Sequence, residues 1–599
     1  IEGAQQIALA IAGGTFTTMV VFLPLIFAEG IAGEMFGQLG WVVSFSLIAS
    51  LLVALTFTPM LAARLLSRQI NLGNQAHGLA DRIGRLITQA ETRYQRAMEP
   101  CVRHPWRTLT ATALLVLLSF GLIPLIGTEF MPPSDESEVR VEFEMRPGTR
   151  LDVVEEKIQE ISQIVRENVP ELKHMVVAVG PTLFKPEATS TAEMTAALIP
   201  VVERKRSSHE IADDLRVALA DYPGGVLRSR APQDVMLQMI GGGEALQVEV
   251  RGPDLDMLYD LADQIADAVE TVPNVTDVRR ADREGVPQVE LHVDRAKAAD
   301  LGVSVAQIAR TLEIALGGTI ASRYAEGGDE SNIVVKLKDA THLTVDEILD
   351  LNIINPLGQQ LSLRNLVNTE SKRGPVRILR NDQQRAIQIG ANISGADLGT
   401  VVGDVRKAIA GVPIPAGYQV LFVGEYEELR AAFKDLFTVM ILALILVYII
   451  MAMLYESLRD PLIVMFSVPL ALIGVNLMLL LTGTTYNIVS LIGSIILIGV
   501  VVNNAILLVD QANHLRYDRR FTLHDALLEA GRTRLRPILM TALTTILGLV
   551  PLAVAQGEGA QIQQSMSRAL IGGLISSTVI TLFVVPVVYA LFHRKDAPK

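Results

Sequence analysis

One membrane-like pattern occurs twice in this chain at a constant spacing. Thr17-Thr18, Pro24-Leu25, Ala28, Gly30, Leu47-Ile48, Ser50 and Pro59 recur as Thr544-Thr545, Pro551-Leu552, Ala555, Gly557, Leu574-Ile575, Ser577 and Pro586. The offset is 527 residues throughout, from Pro24 to Pro551 and from Pro59 to Pro586, with no gap. Repetition over such a distance marks a polytopic protein assembled from two homologous membrane halves, an architecture that places a coupling site at the interface of the halves. The first copy lies at the very start of the chain. The front of the first half is therefore expected to be missing, and Ile1-Glu2-Gly3 is not read as a natural start.

Half of the 599 residues are apolar, too many for an ordinary soluble chain of this length. Eight stretches are long enough to cross about 30 Å of hydrocarbon: Ile7–Ala28, Val42–Leu66, Thr108–Ile126, Leu436–Leu454, Pro461–Leu481, Val489–Val509, Ile538–Ala555 and Leu570–Phe592. Arginine sets their orientation. Arg64, Arg68, Arg82, Arg85, Arg93, Arg96, Arg103 and Arg107 crowd the second connection, and Arg516, Arg519, Arg520, Arg532, Arg534 and Arg536 the sixth. Glu29–Gly40 and Gln556–Ser567 hold no Lys or Arg, so the positive-inside rule places them across the membrane from those loops. Alternation then makes the block from about Gly127 to Arg430 extracytoplasmic. The net charge of −12 excludes a nucleic-acid footprint. The single cysteine, Cys101, cannot form an intrachain disulfide, and no Cys/His spacing suggests a metal site; no cofactor is expected, and the chain is read as a non-enzyme.

Within that block the period changes to short strands and amphipathic helices. A strand over 139–145, a helix over 151–169, strands over 175–179 and 195–202, a helix over 208–220 and a strand over 225–228 form one βαβ pair. A second begins with strand 246–250, helix 254–272 and strands 275–279 and 288–293, and resumes with strand 386–393, helix 398–410 and strand 419–423. Between them lies an insertion, roughly Ala296–Lys372, with a helix over 305–315 and a strand over 333–337. The expected fold class is a polytopic α-helical membrane protein carrying two ferredoxin-like α/β units, the second with an α/β insert.

Gly127-Thr128-Glu129-Phe130-Met131-Pro132-Pro133 after the third segment, Tyr455-Glu456-Ser457 after the fourth, Asn503 to Asp510 in the sixth and Arg534 to Thr541 opening the seventh resemble the resistance-nodulation-division (RND) efflux permeases. The likeness is strongest to their hydrophobe/amphiphile, acriflavine-resistance-type branch. It implies a proton-driven inner-membrane antiporter of bacteria that exports amphiphilic substrates as a homotrimer, working with a periplasmic adaptor protein and an outer-membrane channel. It also implies that this chain is the C-terminal two-thirds of a two-repeat, 12-helix protein. Helices five and six would span residues 1–66, a cytoplasmic linker 67–105 and helix seven 106–127. Porter subdomains would span 128–242 and 243–295 with 373–425, a docking insert 296–372, and helices eight to twelve 426–599.

Asn503 and Asn504 lie mid-helix in the sixth segment, where a polar side chain marks function by default. Arg534 and Thr541 are seven residues apart, about 20° from eclipsed, and share a helix face. The resemblance implies a relay in which an acidic pair on a preceding helix faces a Lys on the tenth and an Arg and a Thr on the eleventh. Here the Lys position is Asn503, which brings no charge, so an ion-pair switch cannot operate in the same way. Two readings stay open: an ion-coupling relay of Asn503, Asn504, Arg534 and Thr541, or plain structural roles, with the asparagines hydrogen-bonding across helices, Arg534 a positive-inside anchor and Thr541 bonded to its own helix backbone. Asp510, near Arg516, reads as an interface-level charge.

The resemblance also makes Phe184, in the Gly180–Pro186 loop, a substrate-path residue, with Met236 and Met239 beside a triple-glycine hinge as a soft lining. Core packing is the competing reading for each, and two methionines without His or acidic company do not make a copper site. The alternative class is a membrane assembly or sensor that uses the soluble block as a binding module. The protein-translocation and lipid-export branches are disfavoured by the long second insertion.

Overall fold

The computed structural model describes residues 2–27, 30–69, 79–181, 190–232, 244–280, 285–374 and 378–594. The membrane part comprises α1 (Glu2–Ile26), α2 (Gly30–Leu55), α3 (Phe57–Gln69), α4 (Leu79–Arg103) and α5 (Pro105–Gly121) before the soluble block. Among the described residues, 7 helices are long and apolar enough to cross a membrane, and Ile11–Ile26 is a shorter apolar helix. The stretch read as one segment over Val42–Leu66 divides at Thr56, where the α-helical run is interrupted between α2 and α3. Of the 67–105 stretch, read as a linker, Leu79–Arg103 is helical. Its Tyr94 and Met98 are buried and its Tyr94 hydroxyl donates to Leu582 O at 2.7 Å, so this helix is packed beneath the membrane bundle.

The soluble block opens with β1 (Glu138–Glu144), α6 (Leu151–Asn168), β2 (Leu172–Val179), β3 (Thr191–Leu198), α7 (Ser208–Leu219) and β4 (Val226–Arg230). The sheet runs β2-β3-β1-β4 with every neighbour antiparallel, the split βαβ connectivity. Burial alternates strictly along β1 and β3, and the buried set packs on Val154, Ile158, Ile161 and Val165 of α6 and Ile211 and Leu215 of α7. A capping box between Ser207 and Glu210 starts α7.

The second unit repeats that order with β5 (Leu246–Gly252), α8 (Leu255–Glu270), β6 (Val275–Arg279), β14 (Gln384–Ile393), α12 (Leu398–Ile409) and β15 (Gln419–Val423). Its sheet is β6-β14-β5-β15, with the short β13 (Leu379–Asn381) also on the outer edge of β14. The reading of residues 288–293 as a strand of this unit is corrected. β7 (Val286–Val293) pairs instead with β12 (Val367–Gly374), forming a two-stranded ribbon that leads out to the insert. β12 is exposed along most of its length, which fits a ribbon rather than a sheet strand packed on helices.

The insert holds α9 (Arg295–Asp300), α10 (Val305–Leu312), α11 (Val345–Leu349), a short β10–β11 pair (Asn352–Ile354, Gln360–Ser362) and a hairpin of β8 (Thr319–Glu326) and β9 (Asp329–Val335). Gly327 and Gly328 both take positive φ at the hairpin turn, as a two-residue turn between right-twisting strands requires. Every residue of the hairpin strands is exposed, including Ile320, Tyr324, Ile333 and Val334.

After the block come α13 (Glu425–Tyr455), α14 (Arg459–Met465), α15 (Ser467–Leu481), α16 (Ile488–Asn513), α17 (Leu523–Ala553) and α18 (Ala560–Phe592). Glu456 in the left-handed region ends α13, and α14 continues through Phe466, whose backbone stays right-handed helical, into α15 as one apolar span over Arg459–Leu481. Helix α16 is buried nearly all round, at the centre of the bundle. Glycines permit its close contacts and those of its neighbours. A Cβ at Gly499 would meet Thr18 Cα at 3.2 Å, and one at Gly474 or Gly572 would lie 2.0 or 2.3 Å from the opposite glycine's carbonyl oxygen.

Candidate coupling site

The sixth apolar segment is apolar on every face, so α16 is driven to the interior and carries its two asparagines with it. Successive residues on a helix point about 100° apart, and Asn503 and Asn504 accordingly serve different neighbours. Asn503 faces α1. A Cβ at Gly14 would stand 2.1 Å from Asn503 Oδ1, so glycine leaves room for this carboxamide where a larger residue would push it or α1 aside. One turn along, Thr18 Oγ1 donates to Gly14 O at 2.8 Å and approaches Gly499 O at 3.3 Å, tying α1 to α16.

Asn504 faces α17 and α18. Its Oδ1 lies 3.5 Å from Thr541 Oγ1, which also donates to Ile538 O at 3.0 Å. A small cavity next to Asn504 is lined by Val501, Leu508, Ile538, Ser577, Thr578, Thr581 and Leu582. The Thr578 and Thr581 hydroxyls are buried there without a hydrogen-bond partner. Two unpartnered donors beside a carboxamide form a short polar line inside an apolar bundle, able to hold water or pass a proton but carrying no fixed charge.

Arg534 does not join this level. Its charge acts on Asp510, well over a turn further along α16 than Asn504, and its Nε is buried without a partner. Arg516, expected near Asp510, is buried with Nη2 3.5 Å from His593 O, and the positive charges that act on Asp510 are Arg534 and His514. The four residues expected as one relay are thus distributed: Asn504 with Thr541, Arg534 with Asp510, and Asn503 against α1. Phe184, Met236 and Met239 lie outside the described residues.

Sequence reasoning missed Thr578 and Thr581, although Ser577, Thr578 and Thr581 form a polar stripe on one helix face and Ser577 belongs to the repeat. It also missed a buried cluster at the arginine-rich end of the bundle. There Asp460 accepts from Asn513 Nδ2 at 3.2 Å and lies 3.4 Å from His593 Nε2, while the Tyr589 hydroxyl donates to Asn513 Oδ1 at 2.5 Å. These residues come from three separate helices, so no local spacing announces them.

In the soluble block the two units meet through paired charges. Arg279 reaches Glu142 at 2.7 Å, Glu244 at 3.1 Å and Glu144 at 3.8 Å, and Arg228 reaches Glu144 at 2.6 Å. Arg216 bridges Asp277 at 3.1 Å and also pairs with Asp213. The acidic groups of this seam are therefore neutralised from within the chain. On the ribbon, Glu290, His292 and Glu370 bring their ligand atoms within 4.8 Å of one another, the one such group among the described residues. Lys372 sits against both of its carboxylates at 3.2 Å.

Residues 1–593 match the sequence profile of the AcrB/AcrD/AcrF family. The chain belongs to that family. Among curated proteins it is 29% identical to the cobalt-zinc-cadmium resistance protein CzcA of Cupriavidus metallidurans, over 97% of this chain and 55% of that protein. It is 30% identical to protein HelA of Legionella pneumophila, over 97% of this chain and 56% of that protein. Two crystal forms of a heavy metal efflux pump superpose with a TM-score of 0.80 at 26% identity, covering 98% and 100% of this chain and 58% of the pump. Two expectations are corrected. CzcA is named for cobalt, zinc and cadmium resistance and the solved structures for heavy metal efflux, so the placement in the hydrophobe/amphiphile branch does not hold: the motifs that suggested it mark the family rather than a branch. Nor does the two-thirds estimate stand, since the chain spans about 55% of the curated relatives.

Proposed function

We propose that this chain is the permease, or a large part of it, of an ion-gradient-driven efflux system whose cargo is a metal cation. The observation that carries this reading is the match to proteins named for metal resistance and metal efflux along nearly the whole chain, membrane and soluble parts alike. Transport through such a protein makes and breaks no covalent bond, in keeping with a site of amides and hydroxyls. Coupling would run along the Asn504–Thr541 level and the hydroxyls of α18, with Asp510 and Arg534 as the charged step nearer the cytoplasm. Asn503 is then a packing residue that keeps α1 against α16 rather than a charge carrier.

The protein would sit in a bacterial inner membrane with the soluble block in the periplasm. A homotrimer with an adaptor and an outer-membrane channel is supported by the β8–β9 hairpin, because an isolated two-stranded hairpin is marginal in water and this one leaves apolar residues uncovered. The test is accumulation of cobalt, zinc and cadmium by cells that lack their own metal exporters and express the full-length gene product. Lower accumulation, abolished by an uncoupler and weakened by Thr541→Val, is expected. Unchanged accumulation of every metal, with the protein present in the membrane, would overturn the reading.

A further inference from the structure

Gly127–Phe130 is a four-residue strap between the membrane bundle and the soluble block, bonded to both. Towards the bundle, Tyr486 N donates to Gly127 O at 2.8 Å, Glu129 N to Tyr486 O at 3.0 Å and Ile488 N to Phe130 O at 3.2 Å. Those partners are the loop and first residue of α16, the helix that carries Asn503 and Asn504. Towards the block, Thr128 N donates to Asp397 Oδ2 at 2.9 Å, and Gly399 N donates to Thr128 O at 3.0 Å. Asp397 is the N-cap of α12, whose Val401, Val402 and Val405 are in the core of the second unit. Approach here is close enough that a Cβ at Gly127 would stand 2.4 Å from Asp397 Oδ1. The strap thus joins the start of the central membrane helix to a core helix of the second soluble unit.

One ionisable side chain in the strap points into this junction. Glu129 Oε2 accepts from Thr485 Oγ1 at 2.7 Å, and the Asp397 carboxylate is the charged group that acts on it. We propose that Glu129 is a proton-operated clasp: protonated, it stays buried against Thr485 and the strap remains closed between α16 and α12, and ionised, it loosens that link, because a buried carboxylate regains water on opening and leaves the neighbourhood of Asp397. Glu129 is a positioning residue in this scheme, touching neither cargo nor the polar line of the bundle.

Burial is the main cause that pushes the Glu129 carboxyl up to about 7, with Asp397 adding to the rise and the Thr485 hydroxyl opposing it. An acid whose pKa is raised in the closed state binds more protons closed than open. Closure is therefore favoured below that value and is lost as pH rises through it. The scheme bears on the transport proposed above only in its consequence, because the clasp itself can be read directly.

The experiment is hydrogen–deuterium exchange on the full-length protein in lipid nanodiscs from about pH 5 to 9, corrected for intrinsic exchange. Peptides containing Tyr486 and Gly399, whose amides close the two sides of the strap, report the state. Protection in wild type should fall with a midpoint near 7, and Glu129→Gln should stay protected throughout. Asp397→Asn, which keeps a capping side chain, should move the midpoint down, and Thr485→Val should move it up. These last two leave Glu129 in place and decide the matter even if Glu129→Gln does not fold. A wild-type profile flat across the range, or midpoints that do not move in opposite directions, would overturn the clasp. Loss of transport with the profile intact would instead count against the transport reading.

Discussion

Replacing Gly14 by alanine tests the packing role given to Asn503. The added methyl would stand 2.1 Å from Asn503 Oδ1, roughly 1 Å inside ordinary contact, so the carboxamide or helix α1 must shift. Overpacking a well-filled interior costs about 1–3 kcal/mol. Because the obstacle is the end of a side chain, the lower part of that range applies, about 1–2 kcal/mol, or roughly 5- to 30-fold in the folded ratio. The diagnostic is the double variant. If the cost comes from this one contact, Gly14→Ala placed on Asn503→Ala should cost at least ~1 kcal/mol less than Gly14→Ala alone, since the obstructing oxygen is gone. The assay is reversible SDS unfolding of the purified full-length protein, with all four proteins compared at one lipid-to-detergent ratio. Additivity of the two substitutions to within about 0.5 kcal/mol would refute the contact and with it the placement of Asn503 against α1.

Three other outcomes are expected. Asp135 accepts hydrogen bonds from Ser208 N at 2.9 Å and Ser137 N at 3.0 Å and pairs with the buried Arg204. Burial alone would raise its pKa, but the Ser208 and Ser137 bonds and the Arg204 charge outweigh it and hold the carboxyl low. Asp135→Asn should therefore cost about 3–5 kcal/mol near neutrality, and the difference from wild type in urea unfolding should shrink only as pH falls below about 4. Arg279→Ala leaves Glu142 and Glu244 without their shared partner. It should loosen the seam between the two units, seen as faster proteolysis of residues 244–280, with partial recovery in an Arg279→Ala/Glu142→Gln double variant. Cys101 should resist an impermeant thiol reagent added outside cells with a permeabilised outer membrane and react once the inner membrane is opened, because the positive-inside rule assigns the arginine-rich connection holding it to the cytoplasm.

The soluble fold was legible because its strands alternate and its helices bury regular stripes, so Val139, Val141 and Phe143 on β1 announce a core on sight. Residues 288–293 misled because the residues that pair with them lie across the whole insert, and strand period carries no information about partner. The candidate coupling residues stand out as types, whereas the neighbours each one meets do not. Mid-helix asparagines stand out in an apolar run, yet whether Asn503 meets α1 or α17 depends on which way the helix is turned. A helix apolar on all faces gives no periodic signal of that rotation. The Gly127–Pro133 motif was noticed, whereas Glu129 within it was not, because its environment is supplied by Thr485 and Asp397, each more than 260 residues away.

Helices α15 and α18 cross where Gly474 meets Gly572, with Ser576 Oγ accepting from Gly474 N at 3.0 Å and donating to Leu470 O at 3.0 Å. Backbone lies on backbone there, and the one short side chain between, Ser576, is bonded to the opposite helix rather than free to let one rod slip past the other. The pair behaves as a single welded strut. In the transport proposed above, alternation would be taken up at softer joints, where a carboxamide such as Asn503 or a hydroxyl such as Thr541 can re-form its bonds after each stroke. The strut gives those joints a fixed frame to push against.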